Sequence, residues 1–342
     1  MDNLTHALTG LMLSRAGLNR LTPRASLMLV LAANAPDLDV VSWLGGTARY
    51  IEWHRGFTHA WAFAPVVAIL PVLIARWSWT RLPLWLRRLA GADQGQVVWS
   101  WWKAWAVAMI GVASHLLLDW MNNYGIRLGL PFESSWHRLD VLYVIDPWVW
   151  MVLLLGVAGP FLSRLVSLEI GAKRTSGGGA AWFALIVLCA YIGGRYFLHE
   201  RAIELLSTRV YDNQNPRRVA AFPAFGNPLR WRAVAEVDNG YWVSQIDLRE
   251  DFDPAEGRVF YQATAVEPIP TARGTADFQA FLRFNQFPLW RVISLPGSEG
   301  AVRVELFDLR FGDPTAPGFV ATAVVESGRS QSESLRFGAP RI

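Results

Sequence analysis

A chain of 342 residues, 52% of them hydrophobic, with a positive mean hydropathy, is more apolar than an ordinary soluble globular protein and long enough for two domains. The net charge of +4 is carried almost wholly by arginine, with no Lys/Arg block interleaved with aromatics, so no nucleic acid partner is expected. Cys189 is the sole cysteine, which rules out an intramolecular disulfide framework.

The first residues, MDNLTHALTGLMLSRAGLNR, carry an acid where a signal peptide needs a basic region, and no small-residue cleavage site follows. They are expected to be retained as structure. Residues 4–17 and 25–44 are apolar and form an expected helical hairpin, the second arm interrupted at NAPDLDVV, with Arg15, Arg20 and Arg24 near its turn. Apolar runs follow at 60–77, 99–118, 141–162 and 180–198. Each has about the length that crosses roughly 30 Å of hydrocarbon. Arg76, Arg81, Arg87, Arg88 and Lys103 follow the second apolar unit, and Arg164, Lys173 and Arg174 follow the fourth. By the positive-inside rule these loops are cytoplasmic, and 45–59 and 121–140 face outward. KRTSGGGA reads as a flexible turn.

From about residue 205 the long apolar runs stop and alternation takes over, in YWVSQIDLR, RVFYQATAV, RVELFDLRF and FVATAVVES, separated by VDNG, DPAEG, PGSEG and GDPTAPG. Period-two alternation with this punctuation predicts a compact antiparallel β domain. The expected architecture is therefore an α-helical integral membrane domain of about six segments over 1–200, followed by an all-β domain over 201–342. Topology places the β domain outside. No internal repeat is read.

Ionisable side chains within apolar helices are costly unless paired, ligated or hydrated. His115 and Asp119 stand at i, i+4 and share one helix face; they fit either a metal or a buried hydrogen-bonded pair. Asp37 and Asp39 flank a break at Pro36, where two carboxylates repel without a cation, or else the segment is a solvated loop. His54 and His59, with Arg55 and Thr58 between them, begin the next span or line an interfacial loop. His6 precedes Gly10 by one turn, and Gly10 lets another helix approach; a lone histidine there is a ligand or a core residue. With the basic loops inside, all four motifs reach one membrane face. Imidazole and carboxylate without thiolate suit zinc, or manganese as a harder alternative, and seven candidate ligands allow two or three ions. Paired ions favour phosphoester chemistry, for which Arg55 is a phosphate clamp.

Together LTHALTG, APDLD, HRGFTHA and SHLLLDWMNNYG, with LYVIDPW beyond, resemble the membrane-bound metal-dependent hydrolase family related to LexA-regulated inner-membrane proteins, over about residues 1–160. That family is similar to zinc-dependent phospholipase C and its single-strand nuclease relatives, all-helical enzymes with a trinuclear zinc site. The resemblance implies a phospholipase C-like helical metal site, with His6, Asp37, Asp39, His54, His59, His115 and Asp119 as ligands, the His-x-x-x-Asp pair bridging metals, and Asp39 able to act as base. Neither the amino-terminal ligand of the phospholipases nor their later His-x-x-x-Glu pair has an equivalent identified here. Asp140 and Asp146 resemble the family's later acidic positions, although Asp146 before Pro147 also reads as a helix cap. His137 and His199 read as interfacial.

The expectation is a multi-pass protein of the bacterial inner membrane, hydrolysing a lipid-derived or other phosphoester substrate at the outer face of the bilayer, with Asp39 and Arg55 catalytic. The alternatives are a non-enzymatic membrane protein stapled by a structural metal and an ion transporter, the latter requiring polar residues at mid-membrane depth. Composition sets no oligomeric state.

Overall fold

The computed structural model describes residues 1–81, 98–170, 177–263, 267–296 and 300–337, with the backbone alone at 79–81 and 161–170. Arg87, Arg88, Lys173 and Arg174 lie outside the described residues, as do the side chains of Arg81 and Arg164 and the last three residues of RVFYQATAV. Chain contacts divide into two units: residues 1–39 with 55–196, and residues 40–54 with 197–342. The 40–54 segment, expected within the helical domain, thus belongs with the C-terminal residues.

The first unit is helical. Helix α1 (Asn3–Arg15) starts where the Asp2 carboxylate accepts from Thr5 N, and α2 (Ala25–Ala32) returns beside it. After α2 a 3₁₀ segment runs over Pro36–Gly45, ten residues of a geometry that seldom lasts beyond about three or four. Helix α3 (Thr47–Trp53) belongs to the second unit. The apolar run at 60–77 is not one helix: α4 (Ala64–Val67) ends and α5 (Ile69–Arg81) restarts. Pro71 supplies the reason, since it has no N–H for the carbonyl four residues back and fits only a first turn. Helix α6 (Trp101–Trp120) is continuous, α7 (Pro147–Ile170) begins only after Asp146, and α8 (Gly178–Ser207) runs for 30 residues.

Among the described residues, α6 and α8 are long and apolar enough to cross a membrane, and up to four spans result if two bent helix pairs each count as one. Two buried apolar clusters hold the unit. One joins Met28, Leu29 and Ala32 of α2 to Val107, Val112 and Leu116 of α6; the other joins Leu8 and Met12 of α1 to Val149 and Leu153 of α7 and Ala184 and Leu188 of α8. Glycines permit close approach at two places. A Cβ on Gly10 would lie 2.6 Å from Leu29 O, and one on Gly111 would lie 2.7 Å from Ala32 Cβ. The role expected of Gly10 is therefore met by α2.

The second unit carries two four-stranded antiparallel sheets, β1 (Arg218–Pro223), β2 (Arg230–Val237), β3 (Gly240–Asp247) and β4 (Arg258–Tyr261), then β5 (Pro288–Ser294), β6 (Val302–Asp308), β7 (Phe319–Glu326) and β8 (Arg329–Phe337), each in sequential order. Alternation in β2 and β3 sorts side chains between two cores. Trp231, Ala233, Trp242 and Ile246 pack with Ala202 and Leu206 of α8, while Val234, Tyr241 and Val243 pack with Phe287, Leu289 and Phe307 of the second sheet. Short helices α9 (Pro268–Arg273) and α10 (Ala276–Phe284) interrupt the strands.

A local duplication, unanticipated from the sequence, emerges at the strand ends. Asp247-Leu248-Arg249 and Asp308-Leu309-Arg310 each fold an arginine back onto the aspartate two residues earlier. Each is followed by an Asp-Pro turn, in which Asp253 accepts from Ala255 N and Asp313 from Thr315 N.

Candidate metal centre

The centre forms where α6 is pressed against α2. Gly111 removes the side chain at the crossing, so that one turn later His115 lies within reach of the backbone at the end of α2. Its Nδ1 stands 2.7 Å from Ala33 O. A carbonyl only accepts, so Nδ1 carries the hydrogen and Nε2 presents its lone pair to the interior.

His59 is fixed the same way. Thr58 Oγ1 donates to Asp39 Oδ2 at 2.7 Å, and His59 Nδ1 lies 3.0 Å from Thr58 Oγ1 and 3.3 Å from Asp39 Oδ2. With the hydroxyl hydrogen spent on Asp39, Nδ1 is the donor and Nε2 again keeps a lone pair. The two Nε2 atoms are 3.0 Å apart, so two lone pairs face one another.

Two carboxylate oxygens complete the group. Asp37 Oδ1 is 3.4 Å from His59 Nε2 and 3.6 Å from His115 Nε2, and Asp119 Oδ2 is 3.5 Å from each. Bonds of roughly 2.0–2.2 Å to imidazole nitrogen and carboxylate oxygen set the edges of a tetrahedron at about 3.3–3.6 Å. Five of the six edges are thus 3.0–3.6 Å long, and all four atoms lie within 4.8 Å of one another. His59, His115 and Asp119 are fully buried, while the Asp37 side chain keeps 11% of its exposure. Such a buried Asp/His cluster can hold a metal ion.

The second oxygen of Asp119 has different neighbours. His6 Nε2 is 3.3 Å from Asp119 Oδ1, the His6 ring stacks on His115 at 3.8 Å, and among the described residues neither ring nitrogen of His6 has a hydrogen-bond partner. The Met1 amino group contacts Asp119 Oδ1 as well, a neighbour not picked out from the sequence.

Arg55 is buried beneath the cluster. Its Nη1 donates to Asn122 Oδ1 at 3.1 Å, its Nη2 lies 3.3 Å from Asp119 Oδ2, and its guanidinium covers the Tyr124 ring at 4.6 Å. The Arg55 backbone N–H donates to Asp39 Oδ2 at 2.9 Å, from a left-handed residue at φ 57°. Asp39 therefore supports His59 from behind through Oδ2, as outer carboxylates support metal-bound imidazoles.

Asn122 is the residue that sequence reasoning missed. Its Oδ1 accepts from Arg55 Nη1, Tyr124 N at 2.9 Å and Gly125 N at 3.2 Å, which leaves Nδ2 to donate to Asp119 Oδ1 at 3.3 Å. The signal available was its place one turn after Asp119 in DWMNNYG, where a polar side chain ends an apolar helix.

His6, Asp37, Asp39, Arg55, His59, His115 and Asp119 are thus brought together in the first unit. His54, counted with the second unit, also stands in a candidate metal-ligand group, and its ring stacks on Tyr50 at 4.5 Å. Asp146 caps α7, accepting from Trp148 N at 3.0 Å, and also accepts from Tyr191 Oη. Asp140 pairs with Arg138, His137 is 3.8 Å from Glu133, and His199 packs on Trp231.

A helical unit with membrane-length apolar helices around a buried carboxylate–imidazole cluster, continued by a β unit, defines a class of membrane protein. The chain belongs to the YdjM inner membrane protein family, whose model matches residues 1–202. It is similar to the uncharacterized protein YfhP of Bacillus subtilis (strain 168), 25% identical over 338 residues that cover 94% of this chain and 90% of YfhP. It is also similar to the inner membrane protein YbcI of Escherichia coli (strain K12), 31% identical over 137 residues that cover 40% of this chain and 69% of YbcI. The family match spans the whole cluster, and the YfhP similarity continues through the β unit. No solved structure matches the chain.

Proposed function

We propose that the protein is a divalent-metal-dependent hydrolase of the inner membrane, acting on a phosphoester. The observation that carries this reading is the two-sided environment of Asp119. Its Oδ2 completes a four-atom set with Asp37, His59 and His115, while its Oδ1 lies against a partial set of nitrogen donors, His6 Nε2 and the Met1 amino group, and accepts from Asn122 Nδ2. One carboxylate shared between a full set and a partial one fits a pair of ions, the second with coordination positions left for substrate.

Asp37 Oδ1, Asp119 Oδ2 and the two imidazole nitrogens converge closely enough for one cation to engage all four, with Arg55 Nη2 alongside Asp119 Oδ2. The nitrogen and oxygen donors without thiolate suit zinc, with manganese as the harder alternative. When bound, such an ion supplies Lewis-acid polarisation of a phosphoryl oxygen and makes water acidic near neutral pH. The chain's own residues orient this chemistry. Asp39 holds the hydrogen of His59 Nδ1 and thereby its tautomer, Asn122 aims Asp119, and Arg55 supplies a fixed guanidinium beside the cluster for an anionic substrate.

A phosphoester screen with metal-loaded protein tests the reading. Arg55→Lys is expected to lower turnover by about one to two orders of magnitude with metal content unchanged. Equal activity would remove Arg55 from the reaction, and cleavage of carboxylic esters alone would discard the phosphoester assignment. A structural staple is the second reading, favoured by the closed tetrahedral set; inertness of fully loaded protein towards every ester supports it.

The arrangement of arginine-rich loops further supports a multi-pass topology with the β unit outside the cytoplasm. A cysteine at Ser244, in a Cys189→Ser background, is then expected to react with an impermeant maleimide in spheroplasts; protection there contradicts that topology.

A further inference from the structure

The Pro36–Gly45 segment does more than deliver Asp37 and Asp39. In a 3₁₀ helix side chains three apart eclipse, so Leu38, Val41 and Leu44 form one edge of this segment. Their exposures are 55%, 63% and 87%, and on the neighbouring edge Val40 and Trp43 are exposed at 55% and 51%. The two aspartates are its only charged residues, and no Lys or Arg occurs between Arg24 and Arg49. In water these exposed aliphatic side chains forgo the stabilisation of burial, whereas against lipid the same ridge is stabilising.

We propose that the Leu38–Val41–Leu44 ridge seats this segment in the interfacial layer of the bilayer, and that the group acted on at the neighbouring centre is the headgroup phosphate of a membrane amphiphile. Three observations support the bilayer as partner: membership of an inner membrane family, the pairing of α2 with this segment as a broken apolar span or re-entrant loop, and the amphipathic Trp43 ring, a side chain suited to the headgroup level. Depth follows from connectivity. Leu38 adjoins both Asp37 and Asp39, and consecutive Cα atoms are about 3.8 Å apart. A ridge sunk roughly 5–10 Å below the headgroups therefore holds the carboxylates near the phosphates. The substrate half of the proposal rests on the hydrolase reading; the anchoring half does not.

The test uses the full chain in phosphatidylethanolamine–phosphatidylglycerol bilayers. A nitroxide on Leu44→Cys, in a Cys189→Ser background, is expected to collide with oxygen more than with a water-soluble nickel chelate. The opposite preference overturns the anchor. Val41→Ser combined with Leu44→Ser alters exposed positions and is expected to slow cleavage of a long-chain alkyl nitrophenyl phosphate in bilayers by about tenfold, with cleavage of its methyl analogue in water nearly unchanged. Equal losses on both esters, or none on either, overturn the substrate assignment. If the wild type cleaves neither ester, the hydrolase reading fails and the substrate half falls with it, while the nitroxide result still decides the anchor.

Discussion

Both units bury charge, and they resolve it in opposite ways. In the β unit, Asp308 and Arg310 are wholly buried, and each answers the other: Asp308 accepts from Arg310 N, Nε and Nη2, while Nη2 also donates to Phe284 O and the guanidinium covers the Phe284 ring. In the helical unit, Asp37, His59, His115 and Asp119 turn carboxylate oxygens and ring nitrogens towards one point, and the far ring nitrogens of the two histidines lie against Thr58 Oγ1 and Ala33 O. The first arrangement closes within the chain. The second gathers four such atoms at one point, an arrangement that can hold a metal ion, whereas the first is a buried ion pair that shapes the fold.

Crossing one substitution from each region breaks or sharpens this contrast. His115→Ala is expected to abolish stoichiometric metal binding while leaving hydrogen-exchange protection of the β strands as it was. Asp308→Ala is expected to do the reverse, destabilising the β unit by about 3–5 kcal/mol because an uncompensated guanidinium stays buried, with metal content unaltered. Loss of metal in the Asp308 variant would show that the two regions are not energetically separate. A smaller effect comes from Asn122→Asp, nearly isosteric, which replaces the donor to Asp119 with a like charge. Metal affinity is expected to fall by about 10–100-fold, read by competition with a chromophoric chelator. Unchanged affinity would demote Asn122 to a turn residue holding Tyr124 and Gly125.

The sequence made the cluster's residues legible because each chemistry-bearing residue interrupted an apolar pattern. His115 and Asp119 on one face of a helix, and Asp37 and Asp39 beside Pro36, needed no tertiary information to be noticed. Their division of labour did. That Asp39 Oδ2 backs His59, that Ala33 O sets the His115 tautomer and that Asn122 orients Asp119 all depend on contacts between segments far apart in the chain. The same limit applies to the fold. Alternation marked β3, β4, β6 and β7, yet β1, β2, β5, β8 and the helices at Pro268–Arg273 and Ala276–Phe284 went unmarked; β1 is short and largely buried on both faces, and β8 is polar and exposed along most of its length. In the sequence, residues 40–44 read as the end of the second hairpin arm and 45–54 as part of the outward-facing loop that follows it. Instead Trp43 and Tyr50 pack on Phe337, and Glu52 pairs with Arg283, partners that lie more than two hundred residues away.

The metal content of the intact, tag-free protein, purified in detergent without chelator, bears most directly on the convergence of His59, His115, Asp37 and Asp119. Elemental analysis is expected to give at least about one zinc or manganese ion per chain, with a second on titration, both lost on chelation. Protein that is folded, metal-free after purification and unable to take up either ion on titration would contradict the account at its centre.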